Sequence, residues 1–349
     1  MSSLMLRVAI AMRSAIVSAA IAVSSPDAHA ATISEVTFSD YTALSGNREL
    51  ARRFLSPLDA SQLTALTTGV GKVLRDQPVD LANEKFVVYV PENKPAGGYA
   101  LFVFVPPWNA ARVPPGWTDV FDEHGIIFVS AETSGNDQSV LGRRIPLALL
   151  AEQNVVQHYP VDAAHVFIGG FSGGSRVALR IALAYPDVFH GVVLNSGSDP
   201  IGDHEAILPA KERFAQFQDT TRLVYVTGDD DTFIRQTDFA SRHSLDDWCV
   251  SHVDVLPMHA TAHAPANPDV LSRAFDRLLS PPEPADPNAL ESCRAKIDGE
   301  LEAKLQNARS LIAGGRRDEA KALLDDIDQH YGWLAAPAVV DLSTTLGAK

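Results

Sequence analysis

The segment Gly170-Phe171-Ser172-Gly173-Gly174 holds the clearest chemistry in this 349-residue chain. A short apolar run, 166–169, leads into it, and a helix-patterned stretch starts directly after it. A serine on so sharp a strand-to-helix turn needs small residues two before and two after it, because a side chain there meets neighbouring backbone. Its hydroxyl then stands free at the C-terminal edge of a sheet. Below it lies a helix N-terminus, whose orphan N–H groups favour a developing negative charge. Ser172 is therefore read as a nucleophile, with the Gly173 N–H as one donor to an oxyanion. Composition alone gives about 0.1 matches to G-x-S-x-G in a chain of this length. The glycine fingerprints of phosphate-binding turns are absent here.

A serine nucleophile needs a base, and an acid to orient the base. If the turn is a nucleophile elbow, these should follow in the order Ser, Asp or Glu, His, each after a later strand. The next suitable strand, 223–227, ends in Gly228-Asp229-Asp230-Asp231. The strand after that, 253–256, opens into a loop framed by Pro257 and Pro265 and carrying His259 and His263. Ends of neighbouring strands meet at one edge, so either histidine can reach Ser172. Their spacing also suits a metal pair, but the H-E-x-x-H glutamate is missing and the prolines make the segment a loop. His263 is taken as the base and His259 as the alternative, and no metal or other cofactor is expected. A second oxyanion donor is expected from the loop Pro106-Pro107-Trp108-Asn109. Prolines have no N–H, which leaves Trp108 or Asn109.

The run from Gly170 to Ala178, the run from Thr227 to Asp231 and the late histidine loop together resemble the α/β-hydrolase superfamily. Within it they look most like secreted esterases of the polyhydroxybutyrate depolymerase-like and feruloyl esterase-like group. The resemblance covers roughly residues 84–280. It implies a doubly wound, mostly parallel sheet with helices on both faces, and hydrolysis of carboxylic esters through an acyl-enzyme on Ser172. The G-x-x-D spacing usual after this strand in the superfamily points to Asp231, with Asp230 second. The last loop reads Ala262-His263 where Gly-His is common, which keeps His259 open. Between Asn195 and Leu223 there are fewer than thirty residues, too few for a large lid. An open site taking a small-molecule or polymeric ester is expected. Trp108, Trp117 and Phe171 are candidates to line it and equally candidates for the core.

The elements that must position these residues are legible as alternation. Strand-like runs at 86–90, 99–105, 126–130, 166–169, 192–195, 223–227 and 253–256 are interleaved with helical stretches near 145–158, 173–185, 232–248 and 268–279. Several of the strand runs are apolar throughout, as strands buried on both faces must be. The fold class is α/β. Residues 31–83 read as an N-terminal helical extension, with a polar start and helices at 47–55 and 61–74, and 84–283 as the catalytic domain. After a proline linker (Pro281, Pro282, Pro284, Pro287), residues 284–349 read as a small helical hairpin, similar to one tetratricopeptide-like helix pair. One pair cannot form a solenoid, so packing on the main domain is expected, with protein contact as the lesser option.

Residues 1–30 combine Arg7 and Arg13, an apolar run and Ala28-His29-Ala30, the order of a secretory signal peptide. A secreted or periplasmic protein is expected, with no membrane span, since no apolar run approaches about 20 residues. Export makes a Cys249–Cys293 disulfide the favoured reading over two free thiols. Two cysteines without a Cys/His cluster exclude a structural zinc site. A net charge of −14 without a basic run argues against nucleic-acid binding. Two other functions stay open: a serine peptidase of the same fold, and a non-catalytic binding or scaffold protein with a relic serine turn.

Overall fold

A computed structural model of the chain describes residues 32–69, 76–281 and 286–347. The expected signal peptide, and Pro282 and Pro284 of the linker, lie outside the described residues. Eight strands form one sheet: β1 (Thr32–Val36), β2 (Phe86–Val90), β3 (Tyr99–Val105), β4 (Ile126–Ala131), β5 (Val161–Phe171), β6 (Gly191–Asn195), β7 (Arg222–Gly228) and β8 (Val253–Met258). Their order is β1-β2-β4-β3-β5-β6-β7-β8. Only the β1–β2 and β2–β4 pairs are antiparallel. The helices are α1 (Asn47–Phe54), α2 (Pro57–Gly69), α3 (Trp117–His124), α4 (Ile145–His158), α5 (Gly173–Ala184), α6 (Lys211–Thr220), α7 (Thr232–Asp247), α8 (Pro268–Leu279), α9 (Pro287–Ala313), α10 (Arg317–Tyr331) and α11 (Ala338–Gly347). This is the mostly parallel, doubly wound α/β architecture that the alternation predicts.

The central strand shows why the sheet forms. All seven side chains of β3 are buried. Leu101, Val103 and Val105 face a core shared with α4, α5 and α6, while Phe102 and Phe104 face one shared with α3 and α8. The period of two sends alternate residues to opposite faces, so Phe102 and Phe104 share one face and the three aliphatic residues the other. On the aromatic face Phe102 meets Phe275 edge-on at 5.1 Å, and Phe104 meets Trp117 edge-on at 5.3 Å. Trp117 is a core residue, 1% exposed, with its indole N–H donated to the Ala266 carbonyl.

Two expectations for the chain ends need correction. Residues 31–83 are not only a helical extension, because Thr32–Val36 pairs antiparallel with β2 as the outermost strand. Its residues are half exposed, so it lacks the continuous apolar signal of the inner strands. The C-terminal segment carries the expected α9–α10 hairpin, turning at Gly314 and Gly315, but adds α11. Its packing is specific. The buried Asp328 carboxylate accepts from the Leu58 N–H in the first turn of α2, and the Trp333 indole donates to the Leu55 carbonyl. Arg294 on α9 bonds Gln218 and Asp219 at the end of α6, and Cys249 and Cys293 form a disulfide with Cα atoms 6.0 Å apart. Among the described residues no helix is long and apolar enough to cross a membrane.

One buried group predicts a pH dependence. Glu152 on α4 is partly buried, with no hydrogen-bond or ion-pair partner among the described residues, and burial pushes its carboxyl up from 4.5 to about 7. Between those values the folded chain holds a proton that the unfolded chain releases. This contribution to stability is therefore fully present below pH 4.5 and lost as pH rises through 7. Glu152→Gln should raise stability at pH 8 by about 1–3 kcal/mol and leave it unchanged at pH 4. Denaturant titrations of both proteins at the two pH values check this.

Candidate active site

Ser172 sits between β5 and α5 with φ 55° and ψ −124°, a conformation costly for any residue with a side chain. The turn is that sharp because the glycines around it let backbones touch. A Cβ on Gly174 would lie 1.9 Å from the Val105 carbonyl oxygen, and one on Gly170 would lie 2.4 Å from the Gly174 carbonyl carbon. The strained backbone is held by the Ser172 N–H, which donates to the Asn195 carbonyl at 2.9 Å.

The expected acid and base follow β7 and β8, two and three strands along the sheet from β5. Asp231, at the start of α7, is 9% exposed, and its Oδ2 lies 2.6 Å from His263 Nδ1. The other ring nitrogen, Nε2, lies 2.9 Å from Ser172 Oγ. Ser172, His263 and Asp231 thus form one hydrogen-bonded chain. The His263 ring also packs on Phe171, with centroids 4.8 Å apart. The loop that carries it is stitched to β7, since Asp229 N–H donates to the Met258 carbonyl and Asp230 N–H to the Thr261 carbonyl.

The alternatives go elsewhere. His259 Nδ1 lies 2.8 Å from Asp229 Oδ2, and its side chain is 83% exposed. This second His–Asp pair lies at the surface, with no bond to Ser172. Asp230 is exposed and its carboxylate has no hydrogen-bond partner among the described residues.

Two supporting residues were invisible in the sequence. Buried Asn195, at the end of β6, accepts from the Ala266 N–H at 2.7 Å and donates to the Val226 carbonyl at 3.0 Å. It therefore pins the chain just after His263 to the sheet beside Ser172. Buried Asp238 accepts from the Ser198 and Thr227 hydroxyls, each at 2.5 Å. Burial raises its carboxyl pKa, those two hydroxyls oppose the rise, and the nearby Asp231 charge adds to it. The only advance signal was the place of Asn195 at the end of β6; Asp238 lies inside α7 and gave none.

The side of Ser172 where the oxyanion donors are expected is built by two loops pressed together. The Asn109 amide is fully engaged, donating to the Asp137 carboxylate at 3.0 and 3.1 Å and accepting from the Gly135 N–H at 3.0 Å. Any donation by Asn109 to a substrate must therefore come from its backbone. The backbone N–H groups of Trp108 and Asn109 have no acceptor among the described residues. Arg144, 3% exposed, joins the loops by donating to the Pro106 and Ser134 carbonyls, both at 2.9 Å. Burial lowers its pKa to about 10, so it stays charged at neutral pH. Asn136 donates its N–H to the Pro107 carbonyl at 3.0 Å, and its side-chain amide lies against Gly173.

Around Ser172 the surface is open. The half-buried Trp108 packs on Phe171 at 6.0 Å, with the Arg112 guanidinium 4.3 Å above its ring. The His263 side chain is 41% exposed. The stretch after β6 does not fold back as a lid: the Gly202 carbonyl oxygen lies 3.2 Å from His330 Nδ1, and the Leu208 carbonyl accepts from the Trp333 N–H at 3.0 Å. Those contacts fasten it to the C-terminal helices.

No protein-family model matches the chain, and no curated protein matches it. Solved structures similar to it include S-formylglutathione hydrolase from Staphylococcus aureus, at 14% identity over 56% of this chain and 93% of that one, with a TM-score of 0.45. A ferulic acid esterase is 16% identical over 55% of this chain and 89% of its own, with a TM-score of 0.42. Est1E from Butyrivibrio proteoclasticus is 13% identical over 58% and 98%, with a TM-score of 0.42.

Proposed function

We propose that this protein is an exported serine hydrolase that cleaves carboxylic esters through an acyl-enzyme on Ser172. The observation that carries the reading is the unbroken chain Ser172 Oγ, His263, Asp231, with links of 2.9 and 2.6 Å. His263 Nε2 takes the hydroxyl proton as Oγ bonds to the ester carbonyl carbon. Asp231 accepts from Nδ1–H, fixing the tautomer and stabilising the imidazolium. The carbonyl electron pair moves to oxygen, which the Gly173 N–H and a backbone N–H of Trp108 or Asn109 receive. When that pair returns, the alcohol departs with the proton from His263. Water, deprotonated by the same ring, then releases the acid and restores Ser172.

The open surface favours small or polymeric esters over substrates that need an enclosing lid. Export rests on the signal-like N-terminus and agrees with the disulfide. The completeness of the hydrogen-bonded chain speaks against a relic serine turn.

A fluorophosphonate probe should label the protein once, on the peptide containing Ser172. The protein should release p-nitrophenol from p-nitrophenyl acetate and butyrate, and leave p-nitroanilide peptides uncut. Absence of both labelling and ester turnover would overturn the enzyme reading. Peptide cleavage faster than ester cleavage would replace it with a peptidase.

A further inference from the structure

Gly173 poses a question that its own backbone does not answer. Gly170 and Gly174 are needed where backbones touch, and Ser172 bears the strain of the turn. Gly173 has no positive φ and opens an ordinary helix, a position any residue can fill. The space that its missing side chain leaves is occupied by the Asn136 amide. A Cβ on Gly173 would lie 2.4 Å from Asn136 Oδ1, 2.8 Å from Cγ and 3.0 Å from Nδ2. All three amide atoms therefore crowd the residue whose N–H is the first oxyanion donor.

The amide is also unengaged. Its neighbours Asn109 and Asp137 bond each other, while the Asn136 side chain has no hydrogen bond among the described residues. No partner fixes which end faces Gly173, so Nδ2 is free to turn toward an oxygen placed there. The Asn136 backbone, by contrast, is fixed. Its N–H is held by the Pro107 carbonyl, and the buried Arg144 ties both loops together through Ser134 and Pro106. Asn136 is solvent-exposed, and its amide, on a clamped backbone beside a helix N-terminus, is held within reach of a developing charge while its orientation stays free to answer it.

We propose that Asn136 is a catalytic residue, a side-chain donor whose Nδ2–H bonds the substrate carbonyl oxygen and strengthens as that oxygen becomes negative. The inference rests on the ester-hydrolase reading above. It concerns transition-state charge, so its mark is a loss in kcat rather than in KM.

Asn136→Ala should lower kcat on p-nitrophenyl butyrate about 10²–10³-fold, with KM changed less than about threefold. Asn136→Asp, nearly the same size but without the donor, should lose at least as much. Gly173→Ala, which pushes the amide aside, should reproduce the loss, and combining it with Asn136→Ala should add little. A trifluoromethyl ketone, which forms a tetrahedral adduct on serine, should bind Asn136→Ala more weakly by about the factor lost in kcat. Thermal melting of each variant separates chemistry from misfolding.

If wild type shows Ser172-dependent turnover and folded Asn136→Ala keeps kcat within about threefold, the inference fails while the hydrolase reading stands. A loss confined to KM also overturns it, because the amide would then touch only the bound ground state. Wild type without Ser172-dependent turnover overturns the hydrolase reading, and the role of Asn136 with it.

Discussion

Ser172→Ala is expected to lower kcat on p-nitrophenyl butyrate by about 10⁶-fold, with KM little changed, and His263→Ala should cost nearly as much. The reason is geometric. Among the described residues Oγ reaches one base, the Nε2 of His263 at 2.9 Å, and that ring nitrogen bonds no other side chain. The two side chains act as a unit, so the double variant should be no slower than either single one. What remains should be about 10³–10⁴ above the uncatalysed rate, the share owed to substrate binding and the oxyanion donors. Single-turnover assays at high enzyme concentration read these residual rates. Two single losses that multiply in the double variant would show that Ser172 and His263 act separately.

Asp231→Asn should lower kcat about 10⁴-fold, while Asp229→Asn should change it less than about twofold. Both carboxylates face a histidine Nδ1, at 2.6 Å for Asp231 and 2.8 Å for Asp229. They differ in setting. Asp231 is 9% exposed and fixes a ring bonded to Ser172, whereas the Asp229–His259 pair is solvated and ends there. An asparagine at 231 can donate to Nδ1 and so hold the ring in the tautomer that leaves a proton on Nε2, unable to accept from Oγ. The same exchange at 229 disturbs only a screened surface pair. Steady-state kinetics of the two variants, with His259→Ala beside them, decides between the acids. Equal losses at 229 and 231 would mean that the two pairs are coupled.

Ser172 was readable because the constraints on it are local. Glycines two residues either side, a strand before and a helix after all fall within a few residues. The acid was harder, since three consecutive aspartates look alike until the turn is built. Asp231 then faces inward at the start of α7 while Asp230 faces out. The histidines were harder again, because both find an aspartate and only the path of the loop after β8 tells them apart. Asn136 and Arg144 gave no signal, and Asn195 only its place at a strand end, since their contacts arise where segments distant in sequence meet. The inner strands announced themselves by continuous apolar runs. β1 did not, because an outermost strand that is half exposed needs no such run, and its partner lies some fifty residues away. The short helices α3 and α6 likewise lack the length that makes a periodic pattern stand out.

The bond between Cys249 and Cys293 does more than dock a C-terminal helix. It closes a covalent ring with a sequence separation of 44 that contains β8, the loop with His263 and all of α8. Ser172 and Asp231 lie outside that ring. In the unfolded chain the segment bearing the imidazole is therefore leashed, while those bearing the serine and the acid roam freely. A loop of that size removes about 4 kcal/mol of chain entropy from the unfolded ensemble in the simplest treatment. The restraint falls on β8, an edge strand paired on one side only, and on the segment that must return the His263 ring to within 3 Å of Ser172 Oγ.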